Sequence, residues 1–322
     1  MDERKIKAQL RREMGKTGWA LLIYYLLMNT LVSLAGVLQF AVTAVVNGIE
    51  NVLFDNTLFD AFLENGWGYF AAIAVGGVLM LLWKKKQFCF HTIWESQKDM
   101  TAGSFFMLLA IFLGGQIVFS LTSQGLEYVF NLFGLSVTES IESASGTSNS
   151  FSMFLYIGLL APIAEEILFR GLFLRMLLPY GKRFAILSTA FLFGIFHENI
   201  VQSPFAFVMG LVLGYVAVEY SMGWAMVLHM INNMLVADSL TRLSNLLPAW
   251  AGELIFAVLL LGSAIAAIII LLCKRKEIAA YRRENPMHPW CVSSFFSSEG
   301  VIVLTVLMGL NMLLSVTALA VG

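Results

Sequence analysis

Six residues in this chain have the types and the spacing to do chemistry. The stretch Ala164-Glu165-Glu166-Ile167-Leu168-Phe169-Arg170 reads as helix. Adjacent helical positions point about 100° apart, so its two carboxylates do not share a face. Glu166 and Arg170 are i, i+4 neighbours and can neutralise each other. Glu165 is then aimed elsewhere without a local counter-charge, which makes it a candidate general base. Downstream lie Phe193-Gly194-Ile195-Phe196-His197-Glu198 and His229-Met230-Ile231-Asn232-Asn233. The chain has four histidines, and His197 and His229 both fall in apolar segments. His229 and Asn233, at i, i+4, put two polar groups on one face that could hold a polarised carbonyl oxygen as an oxyanion hole does. A lone Glu–Arg pair or a lone histidine is more often a helix-packing contact. Two glutamates and an arginine on one helix, with a histidine on each of two others, favour catalysis. His197-Glu198 is followed by Asn199, Ile200 and Val201, so there is no HExxH zinc helix. There is no GxSxG elbow either.

The setting is a membrane. Of 322 residues 59% are hydrophobic and only 13% are charged, against about 45–50% and 25% in soluble domains. A soluble enzyme, a nucleic-acid partner and a disordered tail are excluded, and a net charge of −1 calls for no polyelectrolyte. Ionisable groups are costly in a bilayer, about 2.5–3.5 kcal/mol each on insertion scales, and nearly all of those within spans lie between 165 and 238. Glu219 and Asp238 sit near span ends, where they are expected to reach headgroups or water.

The expected fold is an all-α, polytopic membrane helix bundle of eight to nine spans. Nine candidates run roughly over 18–47, 66–83, 103–132, 150–174, 184–199, 204–219, 223–240, 251–273 and 301–321. They divide into a basic interfacial arm (1–16), N-terminal helices (17–142), a core bearing the chemistry (143–240) and C-terminal helices (241–322). Eighteen of the 20 basic residues fall in four segments: the arm, Lys84–Lys98, Arg175–Arg183 and Lys274–Arg283. With nine spans these share one side, the cytoplasm by the positive-inside rule. The opposite loops carry Glu50, Asp55, Asp60, Glu64, Glu139 and Glu142, with Arg242 as their only basic residue. Cys89, Cys273 and Cys291 then lie on or near the reducing side as free thiols. In the arm, Ile6, Leu10 and Met14 form an apolar stripe that suits a helix lying on anionic lipid; a solvated tail that sets topology is the other reading. Gly210 and Gly214 form a GxxxG, a signal of close helix packing. Hydropathy puts His197 near the outer end of its span and Glu165 and His229 nearer mid-depth. Either the loop at 201–204 is sunk into protein or the boundaries are off by a turn.

Glu165-Glu166-x-x-x-Arg170, Phe193-x-x-x-His197 and His229-x-x-x-Asn233, in this order on successive helices, resemble the CPBP family of intramembrane proteases. That family includes the type II CAAX prenyl endopeptidases and bacterial Abi proteins. The resemblance covers about 150–240, and no motif position is substituted. It implies proteolysis of a membrane-anchored protein or peptide, prenylated ones among the candidates, by a multi-pass protein of the plasma membrane. Glu165, His197, His229 and Asn233 would be catalytic, with Glu166 and Arg170 supporting them. The family has been read in two ways. In one, Glu165 and His197 activate water, and His229 and Asn233 bind the oxyanion, with no cofactor; this reading is preferred. In the other, Glu165, His197 and His229 hold zinc or another divalent metal. Outside the family reading stand a non-proteolytic scaffold or immunity protein, and a transporter. Against the transporter, no broken helices occupy corresponding positions in two halves.

Overall fold

The computed structural model describes residues 3–49, 65–83, 91–145, 150–234 and 246–318. Helix α1 (Glu3–Asn47) is followed by α2 (Trp67–Trp83), α3 (Ala102–Asn131), α4 (Thr138–Ser145) and α5 (Phe151–Tyr180). Next come α6 (Lys182–Phe196), α7 (Gln202–Glu219) and α8 (Met222–Ile231). The chain closes with α9 (Ala249–Cys273), α10 (Arg275–Glu284), α11 (Pro289–Phe296) and α12 (Glu299–Leu314). A two-residue antiparallel ladder, Leu135–Ser136 on Thr317–Ala318, ties the end of α3 to the end of α12. The protein is an all-α polytopic membrane bundle. Among the described residues five helices (α1, α3, α5, α7 and α9) are long and apolar enough to cross a bilayer, and α11 with α12, bent by 65°, would make a sixth. Helix also occupies the other expected spans, in shorter pieces. Lys84, Lys85, Lys86, Cys89, Asp238, Arg242, Glu50, Asp55, Asp60 and Glu64 lie outside the described residues.

The basic arm is not a separate element. It runs into the first span as one helix of 45 residues, roughly 67 Å at 1.5 Å per residue, so α1 both crosses the bilayer and projects beyond it. The arm's apolar stripe faces protein: Leu10 and Met14 are fully buried, in one cluster with Leu177, Cys291, Phe295 and Val301. The other basic segments meet at Glu219. Lys98 Nζ stands 3.1 Å from Oε2 and Lys182 Nζ 2.7 Å from Oε1, and the Tyr281 hydroxyl donates to Oε1 at 3.0 Å. Glu219 therefore does not reach headgroups or water; its side chain is 5% exposed. It staples the 91–101 loop, α6 and α10 at one end of the bundle. Its hydrogen bond and charge hold the Lys98 ammonium above its usual pKa.

Glycine lets the helices approach closely. Gly210 and Gly214 lie on Ala190 and Ile186 of α6, so the GxxxG does mark a helix contact. A tighter crossing joins α1 to α12. A Cβ at Gly18 would run into the backbone of Gly300, and one at Gly300 into the backbone of Gly15 and Trp19. A Cβ at Gly15 would meet nothing within 4 Å. Gly18→Ala or Gly300→Ala should therefore cost about 1–3 kcal/mol through overpacking, whereas Gly15→Ala should be neutral or stabilise by up to about 1 kcal/mol. Thermal unfolding in detergent checks this, and equal effects at Gly15 and Gly18 would contradict the crossing.

Candidate active site

Helix α5 carries the two glutamates, and its backbone is irregular around them. It contains two π-helical stretches, Tyr156–Leu160 and Ile167–Leu174. Pro162 has no N–H to give the carbonyl four residues earlier and crowds it, which accounts for the widened turn ahead of Glu165. Such insertions are common at functional sites. Here the widened turn leaves the Ile157 carbonyl free to accept from Asn233 Nδ2, at 3.0 Å.

The buried centre is Glu166. Its side chain and that of Arg170 are both 0% exposed, with Arg170 Nη1 2.8 Å from Glu166 Oε1. The i, i+4 pairing expected from spacing is present. The same oxygen also accepts from His229 Nδ1 at 2.9 Å, a contact that spacing could not show because 63 residues separate the two. The guanidinium of Arg170 lies 4.2 Å from the centroid of the Phe193 ring, and its Nη2 reaches Gly210 O at 3.5 Å. Glu166 Oε2 and Arg170 Nε have no hydrogen-bond partner among the described residues.

The remaining groups surround a cavity of about 350 Å³ lined by Glu165, His197, His229, Asn232 and Asn233 among others. Glu165 is 30% exposed, and its Oε2 lies 3.8 Å from His229 Nε2. His197 Nδ1 is 2.7 Å from the Phe193 carbonyl. A carbonyl only accepts, so Nδ1 carries the proton and Nε2 of the neutral ring is a free base. The same logic applies to His229. Glu166, paired with Arg170, accepts from Nδ1–H, and Nε2 faces Glu165. Asn233 is engaged as well: it donates to Ile157, and its Oδ1 accepts from Asn232 Nδ2 at 3.0 Å. A second amide hydrogen remains for a ligand. The structure thus brings all four candidate catalytic residues to one cavity. It does not gather a metal set: among the described residues no three His, Cys, Asp or Glu side chains stand together where they could hold an ion.

Several residues around the site gave no signal in the sequence. Gln116 on α3 donates to Asn232 Oδ1 at 2.5 Å, from a helix that carries no motif. The expected loop at 201–204 is not a loop: α7 begins at Gln202, and the boundary after His197 shifts by about a turn, leaving a turn over 197–201. Helix α6 ends at Phe196, and Val201 and Asn199 are buried. Asn199 Nδ2 donates to Ser140 O at 2.7 Å, and its Oδ1 accepts from the N–H groups of Val201 and Gln202. Irregular backbone at depth is tolerated against protein in this way.

Glu198, directly after His197, has φ +52°, the only positive value at a non-glycine among the described residues. Asn311 Nδ2 on α12 donates to Glu198 Oε1 (3.2 Å) and to the Tyr25 hydroxyl (3.1 Å). The last helix and the first thereby hold the turn that ends at His197. Glu198→Ala and Glu198→Gly both lose this anchor, but only glycine relieves the left-handed backbone. The glycine variant should be the more stable of the two by about 0.5–1 kcal/mol. A thermal melt that ranks them the other way would contradict the turn.

Comparison with known proteins bears on this region alone. Residues 147–235 match the type II CAAX prenyl endopeptidase Rce1-like family. No curated protein and no solved structure matches the chain. The matched segment runs from just before α5 through α8 and contains all six motif residues, with Gln116, Asn311 and Tyr25 outside it. Residues 147–235 are therefore similar to the type II CAAX prenyl endopeptidases, and the CPBP resemblance read from the three motifs holds.

Proposed function

We propose that the protein is an intramembrane endopeptidase that hydrolyses a peptide bond of a membrane-anchored or lipidated protein, using water and no metal. The observation that carries this is the shared cavity. A part-exposed carboxylate, two histidine rings and an asparagine amide line one space, while one oxygen of the neighbouring carboxylate accepts from both Arg170 and His229.

Glu165 takes a proton from water, with His197 Nε2 as the second acceptor on that water. The hydroxide adds to the scissile carbonyl. His229 and Asn233 face the resulting oxyanion. Since Nδ1–H of His229 is spent on Glu166, its Nε2 can donate only once it carries a second proton. Glu165, protonated by the water and 3.8 Å away, is the nearby source. Glu166 stabilises the imidazolium so formed, as the buried aspartate does in a Ser-His-Asp triad. Collapse of the tetrahedral species breaks the C–N bond, and the amine leaves with a proton from the protonated pair. The basic segments that meet at Glu219 would face the cytoplasm of a plasma-membrane protein.

Glu165→Ala and His197→Ala should abolish cleavage of a membrane peptide in proteoliposomes, and Asn233→Ala should slow it by about 10²–10³. Wild-type cleavage by purified Glu165→Ala would sink the reading. Activity should survive a chelator, with no metal found by elemental analysis; loss on chelation and recovery with zinc would contradict the metal-free route. Arg170→Met should cost about 3–5 kcal/mol of stability by leaving the buried Glu166 carboxylate without its arginine, and a melt at the wild-type temperature would contradict that.

A further inference from the structure

Glu165 stands between two cavities. Beyond the one that holds the histidines lies a second, of about 180 Å³, whose wall includes Glu165, Tyr24, Tyr69, Tyr156, Phe196 and Asn29. Tyr69 and Tyr156 stack with ring centroids 4.3 Å apart, and Tyr24 stacks on Phe196 at 6.2 Å. Tyr25 also lines this space, but its hydroxyl is engaged by Asn311. The hydroxyls of Tyr24, Tyr69 and Tyr156 have no hydrogen-bond partner among the described residues. Asn29 gives an amide hydrogen to Tyr25 O at 3.0 Å, which leaves its Oδ1 open. Among the described residues no lysine, arginine or histidine lines the cavity.

Three phenol oxygens, which can also donate, an amide oxygen and a carboxylate can all accept, aromatic rings surround them, and among the described lining residues the only formal charge is negative. That set suits a cation: an ammonium brings three donors and no acceptor, and aromatic faces attract positive charge most strongly where water is excluded. An apolar cavity of about 150 Å³ accepts a benzene-sized group, so about 180 Å³ takes one side chain. Taking the protease reading as its basis, we infer that this tyrosine-walled cavity is a subsite for a lysine or arginine side chain flanking the scissile bond of the substrate. A basic residue there would lie across Glu165 from His197 and His229, and would draw the peptide over the carboxylate that activates water.

The test uses the purified protein in proteoliposomes with model transmembrane peptides that carry lysine, arginine or norleucine at successive positions, with cleavage sites read by mass spectrometry. Cleavage beside lysine or arginine should exceed cleavage beside norleucine by about tenfold. Tyr156→Leu and Tyr24→Leu should bring that ratio near one. Equal cleavage of the three peptide sets, or a ratio unchanged in both variants, overturns the subsite and leaves the protease standing. If no peptide is cleaved, the protease reading is what fails, and binding then decides the cavity separately. There, n-butylammonium should raise the melting temperature saturably and more than n-butanol does, and Tyr156→Leu should lose the difference. Equal shifts from the two compounds would overturn the inference.

Discussion

A carboxylate with no exposed surface accepts from an arginine on its own helix and from a histidine on another. Much of the site follows from this junction of Glu166 with Arg170 and His229. A charge buried this deeply is tolerated only when paired, so the pairing fixes which turn of α5 meets α8. It also fixes which edge of the His229 ring turns to the cavity. Glu165, one residue earlier and about 100° round the helix, is left with its carboxylate facing open space. Two adjacent identical residues thus take different roles because their surroundings differ.

The rest of the bundle holds this junction from outside. Phe193 lies under the Arg170 guanidinium, and its carbonyl accepts from His197 Nδ1, so one residue of α6 serves both the ion pair and the second histidine. Glu198 and Asn199, on the turn after α6, are tied to α12 and α4. Glycines at the α1–α12 and α6–α7 crossings let backbones approach to a distance that larger residues would prevent. Chemistry confined to about a quarter of the chain is therefore positioned by helices at both ends of it.

The legible part of the site was local. Helical spacing placed Glu166 on Arg170 and turned Glu165 away from both. The spacing of Gly210 and Gly214 marked a close helix crossing, although only the fold shows that α6 is the partner. Scarcity of charge marked the membrane, and the count of basic residues marked one end of it. Contacts between distant residues were not legible. The bond from His229 to Glu166 spans 63 residues, and Glu219 looks from the sequence like a span-end acid yet lies buried under donors from three segments. The arm 1–16 has the pattern of a lipid-facing helix, but an apolar stripe does not say whether lipid or protein covers it. Gln116, Tyr25 and Asn311 sit in spans without a motif, and only folding brings them to the site.

The central claim is that Glu166 holds the proton of His229 on Nδ1 and leaves Nε2 to take up and release a second one. Ring-15N-labelled histidine tests this directly, since the chain has four histidines and single His→Gln variants assign them. His229 Nδ1 should carry the ring proton and Nε2 should be bare in the resting protein, and Glu166→Gln should weaken this preference. A His229 ring whose Nε2 carries the proton and whose Nδ1 is bare at neutral pH would contradict it.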